Sequence, residues 1–321
     1  MGTCLQNGIK VSVICPTYNQ GAYLRQGLDS ILNQKTTFEI EILIGEDCSP
    51  DNTNEILAEY EANYPDRLQV FHREKNLKQS KNVYDLFMRS KGEYIIILDL
   101  DDYWTDEYKL QKQVDFLESH PEYIGTAHDF SLIDAEGNPF EIEGRSIKEF
   151  LGKDFTLQDF LDYGFVYQTG TFCYRNIWRE DTDWSIIHKA DETVVDLTIN
   201  SILLSRQNVF ILPDSMSVYR DVVNAQAKNC RSESSKDRAR RWQMTSDQLA
   251  MLTAYFEEKI DYSRMWSNVL LDYFKAMCKK QPGSFSFKSW RKMWKQSSKE
   301  TKSRIKKELS GSLKRKLKLA K

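Results

Sequence analysis

Three carboxylates, Asp99, Asp101 and Asp102, stand directly behind the apolar run 94–98 in the segment 92–104, GEYIIILDLDDYW. If the chain is still extended there, Asp99 and Asp101 leave the same side of it and Asp102 leaves the other. Converging carboxylates repel one another unless a cation lies between them, and hard oxygen donors of this kind suit Mg²⁺ or Mn²⁺. A Mg²⁺ held by one or two carboxylates takes its remaining ligands from water and substrate phosphates, so the residues point to a divalent-metal diphosphate site. An acidic turn behind a core strand would use the same residues with no chemistry attached.

A run without polar alternation belongs in a sheet covered on both faces, and such sheets bind ligands at the carboxyl ends of their strands. The upstream chain supplies the neighbours. A β-branched strand over 11–15 stops at Pro16-Thr17-Tyr18-Asn19-Gln20-Gly21, and Tyr23, Leu24, Leu28, Ile31 and Leu32 then recur at helical spacing. A strand over 40–45 ends in Glu46-Asp47-Cys48-Ser49-Pro50-Asp51-Asn52-Thr53, where Ser49 or Asp51 can cap a helix carrying Ile56, Leu57 and Tyr60. A strand over 68–72 leads through 76–82 to a helix with Val83, Leu86 and Phe87. This alternation predicts an α/β fold with a doubly wound, mostly parallel, Rossmann-like sheet. That topology puts the Pro16–Asn19 loop, Asp47 and the three acids on one edge. Tyr18 there offers a stacking surface and Asp47 an acceptor for a base or ribose; Tyr18 as plain core is the other reading.

Downstream, 105–119 reads as a helix with Leu110, Val114 and Leu117 on one face and Phe116 beside them, and 124–128, which carries His128, as the beginning of another strand. His128 either packs in the interior or lines a cleft. An apolar helix behind a threonine cap covers 155–165, and 168–175 is strand-like, with small residues at Thr169, Gly170 and Thr171. Two long amphipathic patterns, 238–259 and 262–279, form a C-terminal helical extension before the break at Pro282-Gly283.

Composition narrows the class. The chain has 321 residues, of which 40% are hydrophobic, enough for a sizeable core. No apolar stretch reaches membrane-spanning length. Residues 1–10 lack the basic and apolar regions of a signal peptide, which makes the cytoplasm the expected compartment. Cys4, Cys15, Cys48, Cys173, Cys230 and Cys278 are scattered without a CxxC pair, as expected of reduced thiols. From Lys288 onward fourteen lysines and arginines face two glutamates, a surplus of twelve, so within a total of −2 the remainder carries −14. The basic segment also holds Phe287 just before it and Trp290, Met293 and Trp294 within it, a mixture suited to an anionic membrane surface; a solvated basic tail is the alternative.

Taken together, VSVICPTYNQ (11–20), EDCSPDNT (46–53), 76–82 and GEYIIILDLDDYW (92–104) resemble family 2 glycosyltransferases of the GT-A fold, in particular those that build bacterial capsular and other surface polysaccharides. The resemblance covers about the first 220 residues. It implies that Pro16, Thr17, Tyr18 and Asn19 pack on the nucleotide, that Asp47 accepts the uracil imide hydrogen, that Asp101 binds the metal directly, and that Asp99 lies near the ribose or donor sugar. Two positions depart from the family pattern: Glu46 replaces the first acid of an Asp-Asp pair, and Lys78 stands where glycine is common. Lys78 either reaches the diphosphate or is a solvated loop lysine.

Sugar transfer with inversion needs a carboxylate to take the acceptor proton. The choices are Asp191, Glu192 and Asp196. The family places its base at a helix start ahead of a strand with a Val-Tyr-Arg-like segment, and counting back from Val218-Tyr219-Arg220 favours Asp196. Capping or helix-dipole roles for these acids are the alternative.

The expectation is therefore a metal-dependent inverting hexosyltransferase using Mn²⁺ or Mg²⁺, a UDP-sugar and a lipid-linked glycan at the cytoplasmic membrane face. The expected division is a catalytic domain over 1–225, with a nucleotide-sugar half to about 105 and an acceptor half over about 106–225, a helical extension over 226–281 and a basic amphipathic tail over 282–321. A sugar nucleotidyltransferase is the competing enzyme, although no glycine-rich basic loop follows the first strand. A non-catalytic membrane or nucleic-acid adaptor is the competing binding module. Nucleic acid is a poor partner for an acidic body.

Overall fold

Uninterrupted runs of Val, Ile and Leu form the middle of the first of two units, Met1–Asn229 and Cys230–Lys321. The computed structural model describes residues 8–141, 147–222, 237–279, 281 and 283–308. Strands β1 (Val11–Thr17), β2 (Ile40–Glu46), β3 (Leu68–His72) and β4 (Tyr94–Ile97) lie parallel in the order β3-β2-β1-β4. Val11, Val13, Ile14, Ile42, Ile44, Ile95 and Ile96 have no exposed surface, as strands covered on both faces require. Helices α1 (Leu24–Leu32), α2 (Thr53–Asn63) and α3 (Gln79–Arg89) connect these strands and bury the predicted stripes: Leu24, Leu28 and Ile31; Ile56, Leu57 and Tyr60; Val83, Leu86 and Phe87.

Beyond β4 the sheet becomes mixed. The short strand β8 (Cys173–Arg175) pairs antiparallel with both β4 and β6 (Tyr123–Asp134). The long strand β9 (Asn208–Asp221) runs parallel to β6 and antiparallel to β5 (Tyr103–Trp104) and β7 (Lys153–Phe155). The doubly wound α/β expectation thus holds, with its parallel strands concentrated in the first half. The helices of the second half are α4 (Lys109–Ser119), α5 (Leu157–Tyr163), α6 (Ile186–Lys189) and α7 (Asp196–Leu204). Thr156 and Asp159 form a reciprocal capping box at the start of α5.

Three local features differ from the sequence reading. The first strand continues through Pro16 and Thr17. Pro16 has the parity of Ile14, whose carbonyl accepts from Leu98 N at 2.9 Å, and β4 has ended by then, so the missing N–H of Pro16 points past the end of its neighbour. The chain is also not extended through the acids: residues 99–102 form a turn closed by Asp102 N to Asp99 O at 2.9 Å. Finally, 168–175 begins as a single 3-10 turn, Thr169–Thr171, ahead of β8.

The second unit contains α8 (Arg238–Tyr255), α9 (Ser263–Cys278), α10 (Phe287–Gln296) and a helical stretch over 299–308. Leu249, Leu252, Trp266, Leu270 and Tyr273 are buried in it, and so are Met293, Thr301 and Ile305 from the segment expected to be a tail. Residues 309–321 lie outside the described residues. No helix among the described residues is long and apolar enough to cross a membrane. Cys15, Cys48, Cys173 and Cys278 are free thiols, and Cys4 and Cys230 fall outside the described residues.

Candidate active site

The carboxyl ends of β1 and β2 carry two loops laced to each other. Asp47 N donates to Thr17 O at 2.9 Å, Asn19 N to Ser49 Oγ at 2.9 Å and Gly21 N to Asp51 Oδ2 at 2.9 Å. Asp51 Oδ1 also accepts from Thr53 Oγ1 at 2.6 Å, so the residue read as a helix cap ties both loops together. Pro16 and Thr17 are buried in the strand, whereas Tyr18 and Asn19 beyond it are half-buried at the rim.

Asp47 is buried, and its two oxygens accept from Leu77 N at 2.6 Å and Lys78 N at 2.9 Å. Burial raises its pKa, opposed by those two N–H groups and by Arg73. Each oxygen keeps a further lone pair for a ligand donor. Glu46, the departure from the family pattern, turns inward and caps its own loop through Ser49 N at 2.6 Å and Cys48 N at 3.2 Å. Lys78 adopts φ +66, a conformation that favours glycine, and its Nζ donates to Glu192 Oε1 at 2.6 Å. The ion pair occupies both Lys78 and one of the three candidate bases.

On the neighbouring strand end, Asp99 and Asp101 are half-buried and Asp102 is buried. Asp101 Oδ1 accepts from Gln20 Nε2 at 3.1 Å. Asp102 Oδ1 accepts from Arg220 N at 2.7 Å, and Arg220 Nε donates back to the carbonyl of Asp101 at 3.1 Å. The Arg220 guanidinium is 4.5 Å from the Tyr23 ring centroid and gives Nη2 to Gln26 Oε1 at 2.8 Å. Sequence reasoning used Arg220 only as a landmark. Its partnership with the acids depends on β5 pairing with β9, and a two-residue strand leaves no periodic signal.

Burial, then repulsion from Asp101 and from Asp196, raises Asp99 well above the carboxylate range. Burial pushes Asp101 up to about 6 against the pull of Arg220, and burial followed by repulsion from Asp101 raises Asp102. A divalent cation reverses such shifts by stabilising the ionised form. Beside Asp101, Gln20 Oε1 is buried without a hydrogen-bond partner. No group of three or more His, Cys, Asp or Glu among the described residues could hold a metal by itself. The turn's carboxylates and Gln20 Oε1 are hard oxygen donors of the kind that suit Mg²⁺ or Mn²⁺.

Asp196 opens α7, with Thr169 Oγ1 at 3.4 Å from its Oδ1. It lines a small cleft with Ile97, Phe165, Thr169, Phe172, Tyr174, Ile199 and Asn200. Asp191 is buried, and its Oδ1 accepts from Thr193 N, Thr193 Oγ1 and Val194 N at 2.8, 2.9 and 3.2 Å, an Asx turn that shapes the loop. His128 has no exposed surface, its Nδ1 lies 2.7 Å from the carbonyl of Asp129, and burial drives its pKa well down. It is an interior residue. The structure thus places Asp196 in a cleft that Ile97, two residues ahead of Asp99, also lines, while Asp47 and Lys78 are bonded to each other on the loops that follow β2 and β3.

The sequence model described as glycosyl transferase family 2 matches residues 12–177, just over half of the chain, from β1 through the acids to β8. The chain belongs to glycosyl transferase family 2. An uncharacterized protein of Mycobacterium tuberculosis is 32% identical to this family member over 211 residues, 65% of this chain and 58% of the relative. The putative teichuronic acid biosynthesis glycosyltransferase TuaG of Bacillus subtilis is 34% identical over 132 residues, 41% of this chain and 50% of TuaG. The chain spans between half and two thirds of the length of these curated relatives. The crystal structure of S. aureus TarS 1-349 in complex with UDP-GlcNAc aligns over 94% of this chain and 92% of that one, with a TM-score of 0.54 and 17% identity. At that identity the likeness is one of fold, and it agrees with the GT-A expectation. Of the readings the sequence left open, glycosyl transfer is the one the family match supports.

Proposed function

We propose that the protein transfers a sugar from a UDP-sugar to a lipid-linked glycan acceptor, with inversion at the anomeric carbon, in the synthesis of a bacterial surface polysaccharide. The observation that carries this reading is the family match over residues 12–177, with Asp196 lining a cleft that Ile97, two residues ahead of Asp99, also lines, and with the Thr169 hydroxyl beside it. In this reading Pro16, Thr17, Tyr18, Asn19 and Asp47 hold the uridine, with Lys78 at the rim. Asp101, with Asp99 beside it, would hold Mn²⁺ or Mg²⁺, which supplies positive charge where the departing diphosphate gains its negative charge. Arg220 fixes the Asp101 carbonyl and so orients the turn. Asp196 takes the proton of the acceptor hydroxyl as its oxygen attacks the anomeric carbon from the face opposite UDP. One bond forms, the bond to the diphosphate breaks, and a single displacement inverts the centre.

The donor class is supported by the nucleotide named with the TarS structure, which shares this fold. The polymer class is supported by the name of TuaG. For placement on the inner membrane face, α10 offers stacked Phe287, Trp290 and Trp294, with ring centroids 5.7 and 5.1 Å apart, among Lys288, Arg291, Lys292 and Lys295. Such a face suits an anionic bilayer surface and would keep the enzyme peripheral in the cytoplasm.

The test is UDP release from a panel of UDP-sugars with Mn²⁺ or Mg²⁺, with and without a lipid-linked glycan extract. Expected is metal-dependent turnover that is lost in Asp101→Ala and in Asp196→Asn, with UDP still bound by Asp196→Asn. Turnover that survives Asp196→Asn removes the assigned base.

A further inference from the structure

Behind the acceptor side lies a buried polar cluster that the proposed reaction leaves unused. Lys109 and Gln113 are one helical turn apart on α4 and neither has exposed surface. Lys109 Nζ donates to Gln113 Oε1 at 2.6 Å and sits 4.4 Å from the Trp104 ring centroid. No carboxylate pairs with it among the described residues. Gln113 Nε2 then donates to the carbonyls of Thr171 at 2.9 Å and Thr126 at 3.0 Å, and Trp104 Nε1 donates to the carbonyl of Gly170 at 2.9 Å.

Gly170 and Thr171 belong to the single 3-10 turn Thr169–Thr171, which continues into no helix that could use its carbonyls. The turn is also confined sterically, since a Cβ on Gly170 would meet Leu98 Cδ1 at 2.9 Å, immediately before Asp99. Its first residue is the one whose hydroxyl reaches Asp196. An amide side chain can bond in either orientation, but an ammonium on Oε1 leaves only the NH₂ end for the two carbonyls. Burying an ammonium is costly, and burial lowers the pKa of Lys109 to about 7. A methionine would fill the same space at less cost and would lose that directionality.

We propose that Lys109 is a positioning residue which, through Gln113 and Trp104, fixes the Thr169–Thr171 turn against Asp196 and thereby places the acceptor for transfer. This rests on the reading of Asp196 as the base. The experiment uses the full chain and the variants Lys109→Met and Gln113→Glu, with amide hydrogen exchange at residues 170–173, UDP affinity with Mn²⁺, and acceptor-dependent UDP release. Lys109→Met is expected to keep or raise Tm and to leave UDP affinity unchanged. It should speed exchange in the turn by about tenfold and lower acceptor-dependent release by about tenfold, chiefly in kcat.

Gln113→Glu gives the lysine a carboxylate but sets lone pairs against two carbonyls. A positioning role predicts the same loss as Lys109→Met, whereas a role confined to neutralising the lysine predicts none. Unchanged exchange in Lys109→Met overturns the proposal whatever the enzyme transfers. Faster exchange with unchanged acceptor-dependent release overturns the link to catalysis. If Asp196→Asn keeps full activity, the reading of the base fails, and the exchange data still decide whether the cluster holds the turn.

Discussion

The Asp102 carboxylate accepts a 2.7 Å hydrogen bond from the backbone N–H of Arg220, so the acidic turn is fastened to β9 as well as to the strand that delivers it. Arg220 returns the contact to the Asp101 carbonyl. Replacing Asp102 with alanine leaves a buried N–H without its acceptor and releases the turn. The expected cost is about 1–3 kcal/mol in denaturant unfolding, with UDP release falling further than stability alone explains. Asp102→Asn keeps an accepting oxygen and should retain most of the stability; equal losses in both variants would show that charge, not the hydrogen bond, matters there.

Gly27 lets α1 press on the same turn. A Cβ at this position would meet Leu100 O at 2.9 Å and Asp102 O at 3.1 Å, both backbone atoms. Alanine favours the helix itself, so Gly27→Ala should stay folded by circular dichroism while the turn shifts. Calorimetric titration of UDP with Mn²⁺ should show about a tenfold loss of affinity, the penalty of a small misplacement of a binding group.

Lys78 carries a backbone conformation suited to glycine, held by the Asp47 carboxylate. Lys78→Gly should relieve about 1 kcal/mol of strain, offset by an exposed ion pair with Glu192 worth at most about the same. Lys78→Ala keeps the strain and loses the charge. UDP affinity is expected to fall several-fold in both, whereas unfolding midpoints should rise in the glycine variant relative to the alanine one. Identical midpoints would mean that the backbone there carries no strain.

Lys109 predicts a pH dependence of stability. Its pKa is held near 7 in the folded protein, against an unfolded value of 10.5. Below about pH 7 both states hold the proton and the full burial penalty stands; above it the unfolded chain holds more protons, so stability rises with pH by up to about 1.4 kcal/mol per unit. The buried thiols of Cys15 and Cys173, whose pKa values are raised, act in the opposite sense once unfolded thiols ionise near pH 9. Urea unfolding between pH 7 and 8.5 should therefore show the slope in the native sequence and lose it in Lys109→Met.

The parallel half of the sheet was legible because each of its strands is an apolar run ending in turn-forming residues, and that ordering also put Asp47 and the acids on one edge. The antiparallel strands β5 and β7 are too short to have a period, which hid the clasp between Arg220 and Asp102. Lys109 and Gln113 went unnoticed because lysine and glutamine are expected on a solvated face, although positions 109 and 113 fall beside Leu110, Val114 and Leu117 on the helical wheel. A polar pair inside an apolar stripe was the available signal. Reading Pro16 as a stop ended the strand two residues early, because a proline whose N–H side has lost its neighbour costs the sheet nothing.

The pairing of Tyr103 and Trp104 with Ser217 and Val218 also sets a schedule for biosynthesis. All four parallel strands have left the ribosome well before β9 is made, and translation of the intervening residues takes on the order of ten seconds. During that interval the nascent chain can hold the parallel half of the sheet while the acidic turn is still unclasped. Chains cut short before β9 would therefore carry the acidic turn without the Arg220 contacts that fasten it.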